Sequence, residues 1–330
     1  MKILYIIIFM ALVDDFEKAG ISFTQNEEIA GKTTFKVGGR VKLFVIPKNV
    51  RELKNTLNIL QSYNSNFFVL GGGSNVVFPD DDFDCPVIST EKLNSVIIEE
   101  KSDSNSYTTK ESLSDDKVLV TCLAGTPMAS FVNFCSRNSL SGAEQFAGLP
   151  GSIGGALFMN ARCFDKSICE LIFSTQHLDY SNPQNVKIVN SDFNSAEWDY
   201  KLSPFQNKCR IITQATFLLT KKTADDRKKI EEACKFYINE RVSKGHFKYP
   251  SAGSVFKNNH AFGKPSGKII DEAGLKGYQI GGAQIAPFHG NFIINVNHSK
   301  AEDIKQLVEY TQKVIREKYD FELEPEIIFV

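Results

Sequence analysis

Neither sign of charge is in excess: 38 Lys and Arg stand against 39 Asp and Glu over 330 residues, a formal net charge of −1. That balance leaves no global field to draw nucleic acid or an anionic membrane surface. Cysteine is sparse and scattered, seven residues with no Cys-x-x-Cys pair. An odd, unpatterned set excludes a disulfide framework and reads as reduced thiols in a cytoplasmic protein. Five histidines without ligand spacing argue against a zinc site, and no metal is expected. The N-terminal apolar run, Ile3 to Val13 behind Lys2, falls short of the ~20 residues a membrane-crossing helix needs. It imitates a signal peptide. Beside free thiols it reads instead as an extra N-terminal segment, or as a start placed too early with Met10 the alternative.

Glycine, by contrast, is concentrated. Gly142 to Ala161 holds Gly142, Gly148, Gly151, Gly154 and Gly155, one proline and almost no charge. Glycine costs conformational entropy, so such a run needs a reason: positive φ, or close approach of the backbone to another group. An anionic or planar ligand lying against backbone N–H groups supplies one. A second run, Gly71-Gly72-Gly73-Ser74-Asn75, follows the apolar Phe67–Leu70, and two such loops favour a cofactor cradle. The second loop is not a Rossmann fingerprint. It lacks the G-x-G-x-x-G spacing, and Val76 to Phe78 continues as strand instead of opening a helix.

The periodicities describe a mixed α+β chain of two or three domains, at ~100–200 residues each. Helices are expected over Val50–Ser62, Pro127–Asn138, Thr223–Ser243, Ser266–Ala273 and Ala301–Phe321. Strands are expected over Val41–Ile46, Phe67–Leu70, Val118–Ala124, Cys169–Asp179, Asn185–Asn190, Arg210–Leu219 and Phe292–Val296. Lys101 to Lys117, rich in Ser, Asp and Lys, reads as a solvated hairpin insertion. If the terminal segment is a strand, Glu324 and Glu326 project to one face.

Several stretches, in order, resemble the flavoenzyme family of UDP-N-acetylenolpyruvoylglucosamine reductases (MurB), in its shorter, type II-like form. They are Thr33–Gly39, Leu70–Asn75, Gly148–Gly155 with Asn160-Ala161, Tyr249–Lys257, Glu272–Gly277, Gly281–Gln284 and Leu323–Glu326. Together they cover nearly everything from about Asn26 onward. The resemblance implies a bipartite FAD-binding unit of the vanillyl-alcohol-oxidase/PCMH type, then a C-terminal α+β substrate domain. The implied division is an N-terminal extension over 1–21, FAD-binding subdomains over 22–90 and 91–222, and a substrate domain over 223–330. It also implies non-covalent FAD, NADPH as co-substrate, and reduction of UDP-N-acetylglucosamine enolpyruvate to UDP-N-acetylmuramate, a step of peptidoglycan precursor synthesis. A small-molecule substrate, cytoplasmic location and a monomer or weak dimer go with that reading.

By the same resemblance Ser254 donates a proton, Glu326 polarises the substrate carboxylate, and Lys201 supplies a cation beside it. FAD falls to Gly71, Gly72, Gly73, Ser74, Asn75, Gly148, Pro150, Gly151, Ser152, Gly154 and Gly155. Lys257, Gln284, Arg162 and Tyr200 are assigned to substrate. One position departs from the family. Its Tyr-Arg-x-Ser motif reads Tyr200-Lys201-Leu202-Ser203 here, which keeps the charge but loses the two-pronged guanidinium. Two other readings stay open: an FAD-dependent alcohol oxidase of the same fold, its flavin tethered through Cys163, and an inactive FAD-binding paralogue.

Overall fold

In a computed structural model the backbone is described for residues 2–99 and 113–330, and side chains from residue 8. Most of the insertion expected at Lys101–Lys117 lies outside the described residues. The chain divides into two compact units. Unit one comprises Met1–Phe23, Val45–Gly72 and Ile88–Ile238; unit two comprises Thr24–Phe44, Gly73–Val87 and Asn239–Val330.

Unit one is built on an antiparallel sheet. Its strands run in the order Lys187–Asp192, Ile172–Asp179, Arg210–Lys221, Lys117–Leu123 and Val96–Ile98, with Leu140–Ser141 also paired to the long third strand. The register sets Phe217 opposite Val120 and Ala215 opposite Cys122, all buried. The strand expected from Cys169 begins only at Ile172, because Ile168–Leu171 form a 3-10 turn. Glu170 holds that turn by accepting from the Ser167 N–H at 2.7 Å.

Helices α1 (Lys2–Lys18), α2 (Val50–Ser62), α3 (Met128–Arg137) and α4 (Ile153–Phe158) belong to this unit. Leu53, Leu57 and Leu60 make the fully buried stripe of α2. Asn49 caps it by accepting from the Glu52 N–H at 2.9 Å, while Glu52 accepts from Lys48 N–H at 2.8 Å. Phe131 of α3 meets Phe217 of the sheet, centroids 4.7 Å apart. The N-terminal run is more than an appendage. Leu12, Val13 and Phe16 of α1 are core, and Tyr63 donates to Asp15 at 2.8 Å. No helix among the described residues is long and apolar enough to cross a membrane.

Helix α5 (Arg227–Ser243) carries the chain from one unit into the other. Unit two then holds α6 (Ser266–Glu272), a hairpin of Gln279–Ile280 and Ala283–Ile285 that pairs on to Ile293–Asn295, and α7 (Ala301–Tyr319). Ile304, Leu307, Val308, Thr311 and Ile315 form the buried face of α7. Asp80 accepts from the Ala301 and Glu302 N–H groups at 2.8 and 3.1 Å, a carboxylate at the positive end of the helix. The loop bearing Asp80 comes so close to Gly39 that a Cβ there would strike its backbone, which accounts for a glycine in the Gly38-Gly39 pair.

The terminal segment becomes strand only at Ile328–Phe329, parallel to Val76–Val77. Before it, Pro325 has no N–H to give a ladder, and pairing shrinks to a bridge with Phe256.

Candidate active site

In unit one the two glycine loops lie against each other. A Cβ on Gly72 would fall 2.5 Å from the Gly151 Cα, and one on Gly71 would fall 2.7 Å from the Ser152 Oγ. Gly148 and Gly151 hold φ of 75° and 108°, where L side chains are strained. Packing and φ therefore explain most of these glycines without a ligand. Ser152 caps α4, its Oγ accepting from the Gly155 N–H at 3.3 Å. The N–H groups of Ile153 and Gly154 are engaged by the Thr126 and Ala124 carbonyls at 2.9 and 2.7 Å. A Cβ on Gly154 would press on Ala124, whereas one on Gly155 would meet only Ser152 Oγ at 3.5 Å. Gly155 is the position whose lack of a side chain the surrounding protein does not require. The two loops thus present backbone with a space at Gly155, a surface that fits a flat or anionic cofactor. Pro150 is exposed beside them.

The C-terminal end of the same glycine stretch holds the turn that carries Lys201. Asn160 donates to the Asp199 carbonyl at 2.7 Å, and Ser203 Oγ donates to the Phe158 carbonyl at 2.8 Å. Asp199 and Leu202 exchange backbone bonds across the turn, and Lys201 stands between them at φ 57°. Tyr200 is exposed, with the Lys201 Nζ 5.9 Å from its ring centroid. Arg162 donates to Ser167 Oγ at 3.3 Å and lies 3.7 Å from Asp165, so its guanidinium is engaged locally. Trp198 packs on Phe205, ring centroids 6.0 Å apart.

Unit two gathers Asn75, Ser254 and Glu326. The Glu326 N–H donates to the Val255 carbonyl at 2.7 Å, next door to Ser254. Its own carbonyl accepts from Asn75 Nδ2 at 2.9 Å. Gly253, before Ser254, takes φ 74° and meets nothing within 4 Å where a Cβ would stand, so its need is conformational. Ser74 and Gly73 complete this loop, Gly73 accepting from the Thr34 N–H at 3.0 Å. Lys257 pairs with Glu324 at 2.5 Å. Gln284 commits its amide nitrogen to Gly277 O at 3.1 Å and lies 3.4 Å from Gln279 Oε1.

Two groups escaped sequence reasoning. Asn291 clamps Phe256 from both sides, accepting its N–H at 2.9 Å and donating to its carbonyl at 2.8 Å. His246 and His289 flank Phe292, which bridges Ser254. Burial, then Arg241, His289 and Lys244, hold His246 down to about 4. Burial likewise lowers His289. The thiols of Cys122 and Cys135 are pushed well above the ordinary cysteine range by burial, and Cys234 up to about 11. Such thiols are inert at neutral pH.

Residues 245–330 match the family model for the UDP-N-acetylenolpyruvoylglucosamine reductase C-terminal domain, and 41–177 match an FAD binding domain. The reductase of Treponema denticola is 42% identical over 90% of each chain. That of Borreliella burgdorferi is 38% identical, over 93% of this chain and 94% of its own. The chain belongs to the UDP-N-acetylenolpyruvoylglucosamine reductase family. The crystal structure of the family's Thermus caldophilus enzyme superimposes with a TM-score of 0.71 at 25% identity, covering 94% of this chain and 98% of that one. The fold is accordingly α+β, an FAD binding domain followed by the family's C-terminal domain. FAD is its cofactor.

Proposed function

We infer that this chain reduces the enolpyruvyl ether of UDP-N-acetylglucosamine enolpyruvate to UDP-N-acetylmuramate, with NADPH as reductant, for peptidoglycan precursors. The observation that carries the reading is the double clamp on Glu326, which sets it beside the Ser254–Val255 segment through one backbone bond and beside the Asn75 loop through another. Bound FAD supplies the hydride relay from NADPH to the substrate carbon. The protein supplies the rest. Ser254 gives a proton to the carbon next to the carboxylate, a role that requires it within hydrogen-bond reach of that carbon. Glu326 and the Lys201 cation stabilise the charge that develops on that carboxylate.

Lys257 is the candidate for a substrate phosphate, and Glu324 holds it until substrate arrives. Gln284, Arg162 and Tyr200 are further substrate contacts. Gly71, Gly72, Gly73, Ser74 and Asn75 of one glycine loop and Gly148, Pro150, Gly151, Ser152, Gly154 and Gly155 of the other line the flavin. The boundaries at 22, 91 and 223, a cytoplasmic location and a monomer or weak dimer belong to the same proposal. So does the shorter form of the family: between Pro250 and Phe292 the described elements are a 3-10 turn at His260–Phe262, α6 and one hairpin. Cys163 donates its thiol to the Gln145 carbonyl at 3.3 Å, which does not favour a covalent flavin tether and with it the oxidase.

The test is the product. Incubation with NADPH and the enolpyruvate in deuterated water should yield UDP-N-acetylmuramate carrying solvent-derived deuterium at the carbon next to its carboxylate. Unchanged enolpyruvate, or hydrogen peroxide made from an alcohol, would refute the assignment.

A further inference from the structure

The Lys201 turn raises a question of aim. Lysine is a point charge on a flexible stem, so its placement depends more on the backbone that bears it than arginine's planar fork does. That backbone is in the left-handed region, at φ 57° for a side chain that ordinarily avoids it. Such a conformation persists where the surroundings over-determine it. The Gln206 side chain reaches that peptide. Gln206 donates through Nε2 to the Lys201 carbonyl at 3.0 Å and to the Phe158 carbonyl at 2.7 Å. Its amide has two N–H donors, and the two carbonyls take both.

Phe158 is the last residue of α4, the helix that opens from the glycine loop. Gln206 therefore joins the flavin-side helix and the cation-bearing turn through a single amide. The return end of the loop is fixed separately. Arg210 donates to the Pro204 carbonyl at 3.2 Å, and the Phe205 ring meets His177 at 5.6 Å. The peptide after Lys201 is held from both sides, its N–H donating from Leu202 to the Asp199 carbonyl at 3.0 Å and its carbonyl gripped by Gln206.

We propose that Gln206 is a positioning residue for the reaction, locking the left-handed Lys201 peptide to the end of α4 so that the cation stands at a fixed place relative to the flavin loop. The proposal rests on the reading of Lys201 as the cation beside the substrate carboxylate. Without the lock, Lys201 relaxes to a right-handed φ and its side chain leaves along a different direction.

A double-mutant cycle on the FAD-loaded protein tests it, with Gln206→Met, Lys201→Met and the pair. Gln206→Glu is the second single variant, keeping shape while removing both donors. FAD content, Tm, the rate of flavin reduction by NADPH, the rate of flavin reoxidation by UDP-N-acetylglucosamine enolpyruvate and substrate Kd are read for each. Gln206→Met and Gln206→Glu should slow reoxidation on the order of tenfold or more, since a misplacement near 1 Å can cost ~100-fold. FAD content and reduction by NADPH should stay at the parent level, and Gln206→Met should add nothing to Lys201→Met. Full multiplication of the two losses would overturn the role of Gln206 alone. Equal loss in both half-reactions with loss of FAD would show a purely structural residue. If Lys201→Met itself changes neither reoxidation nor Kd, the Lys201 reading fails and takes this proposal with it.

Discussion

The side-chain amide of Asn75 donates to the Glu326 carbonyl at 2.9 Å, tying the Gly71–Asn75 loop to the residue before the terminal apolar segment. Asn75 returns a second bond, its own carbonyl accepting from the Ile328 N–H at 2.9 Å. An asparagine read in the sequence as a flavin donor thus holds the backbone of Glu326, the residue proposed to act on the substrate carboxylate.

Replacing Asn75 by Ala should lower unfolding free energy by about 1 kcal/mol, the net value of one neutral hydrogen bond. It should also slow turnover, because Glu326 loses one of its two backbone restraints. Urea denaturation of the FAD-loaded protein beside steady-state NADPH oxidation checks both. Lost stability with parent turnover would separate Asn75 from the chemistry.

Ser254→Ala should reduce turnover with the enolpyruvate by roughly 10²–10⁴-fold, the usual contribution of a positioned proton donor. Flavin reduction by NADPH alone should proceed at the parent rate. Stopped-flow absorbance reads the two half-reactions separately, and parallel loss in both would remove Ser254 from its assigned step.

The Lys257–Glu324 pair is partly exposed, with Lys257 Nζ and Glu324 Oε1 2.5 Å apart. Such pairs contribute ~0–1 kcal/mol, so Glu324→Gln should leave Tm nearly unchanged. If Lys257 takes a substrate phosphate, Glu324→Gln should lower KM for the enolpyruvate and Lys257→Met should raise it. Equal KM in all three proteins would leave Lys257 no part in binding.

His246 gives a pH signature. Its folded value is depressed from 6.5 to about 4, so the unfolded chain binds the proton more readily. The stability held in its neutral form is thus present above pH 6.5 and falls away as pH drops toward 4. His289, lowered by burial, acts in the same direction, and Arg241 and Lys244 face His246 with like charge. Tm should decline across that window and decline less in His246→Gln. An identical Tm profile for the two proteins would contradict the assignment.

Local pattern carried much of the fold. The Leu53, Leu57 and Leu60 spacing delimited α2 to the residue, and the expected helices at α3, α5, α6 and α7 differ from the observed ones by a few residues at their ends. Long-range contact was harder to read. The glycines of Gly71–Gly73 and Gly148–Gly155 pointed to a ligand, yet Gly72 and Gly151 are also needed because the two loops touch, a pairing no local pattern reveals. Glu324 and Glu326 looked alike in sequence. Pro325 interrupts their strand, and in the fold Glu324 goes to Lys257 while the Glu326 backbone goes to Val255 and Asn75. Gln206 carried no signal at all, since its meaning depends on two carbonyls that only the folded chain brings together.

The most direct test of the central claim is an anaerobic stopped-flow experiment on the purified FAD-loaded protein. NADPH should bleach the flavin band, and UDP-N-acetylglucosamine enolpyruvate, with no oxygen present, should restore it while one equivalent of UDP-N-acetylmuramate forms. A flavin that NADPH does not bleach, or that regains its colour only with oxygen, would contradict the account.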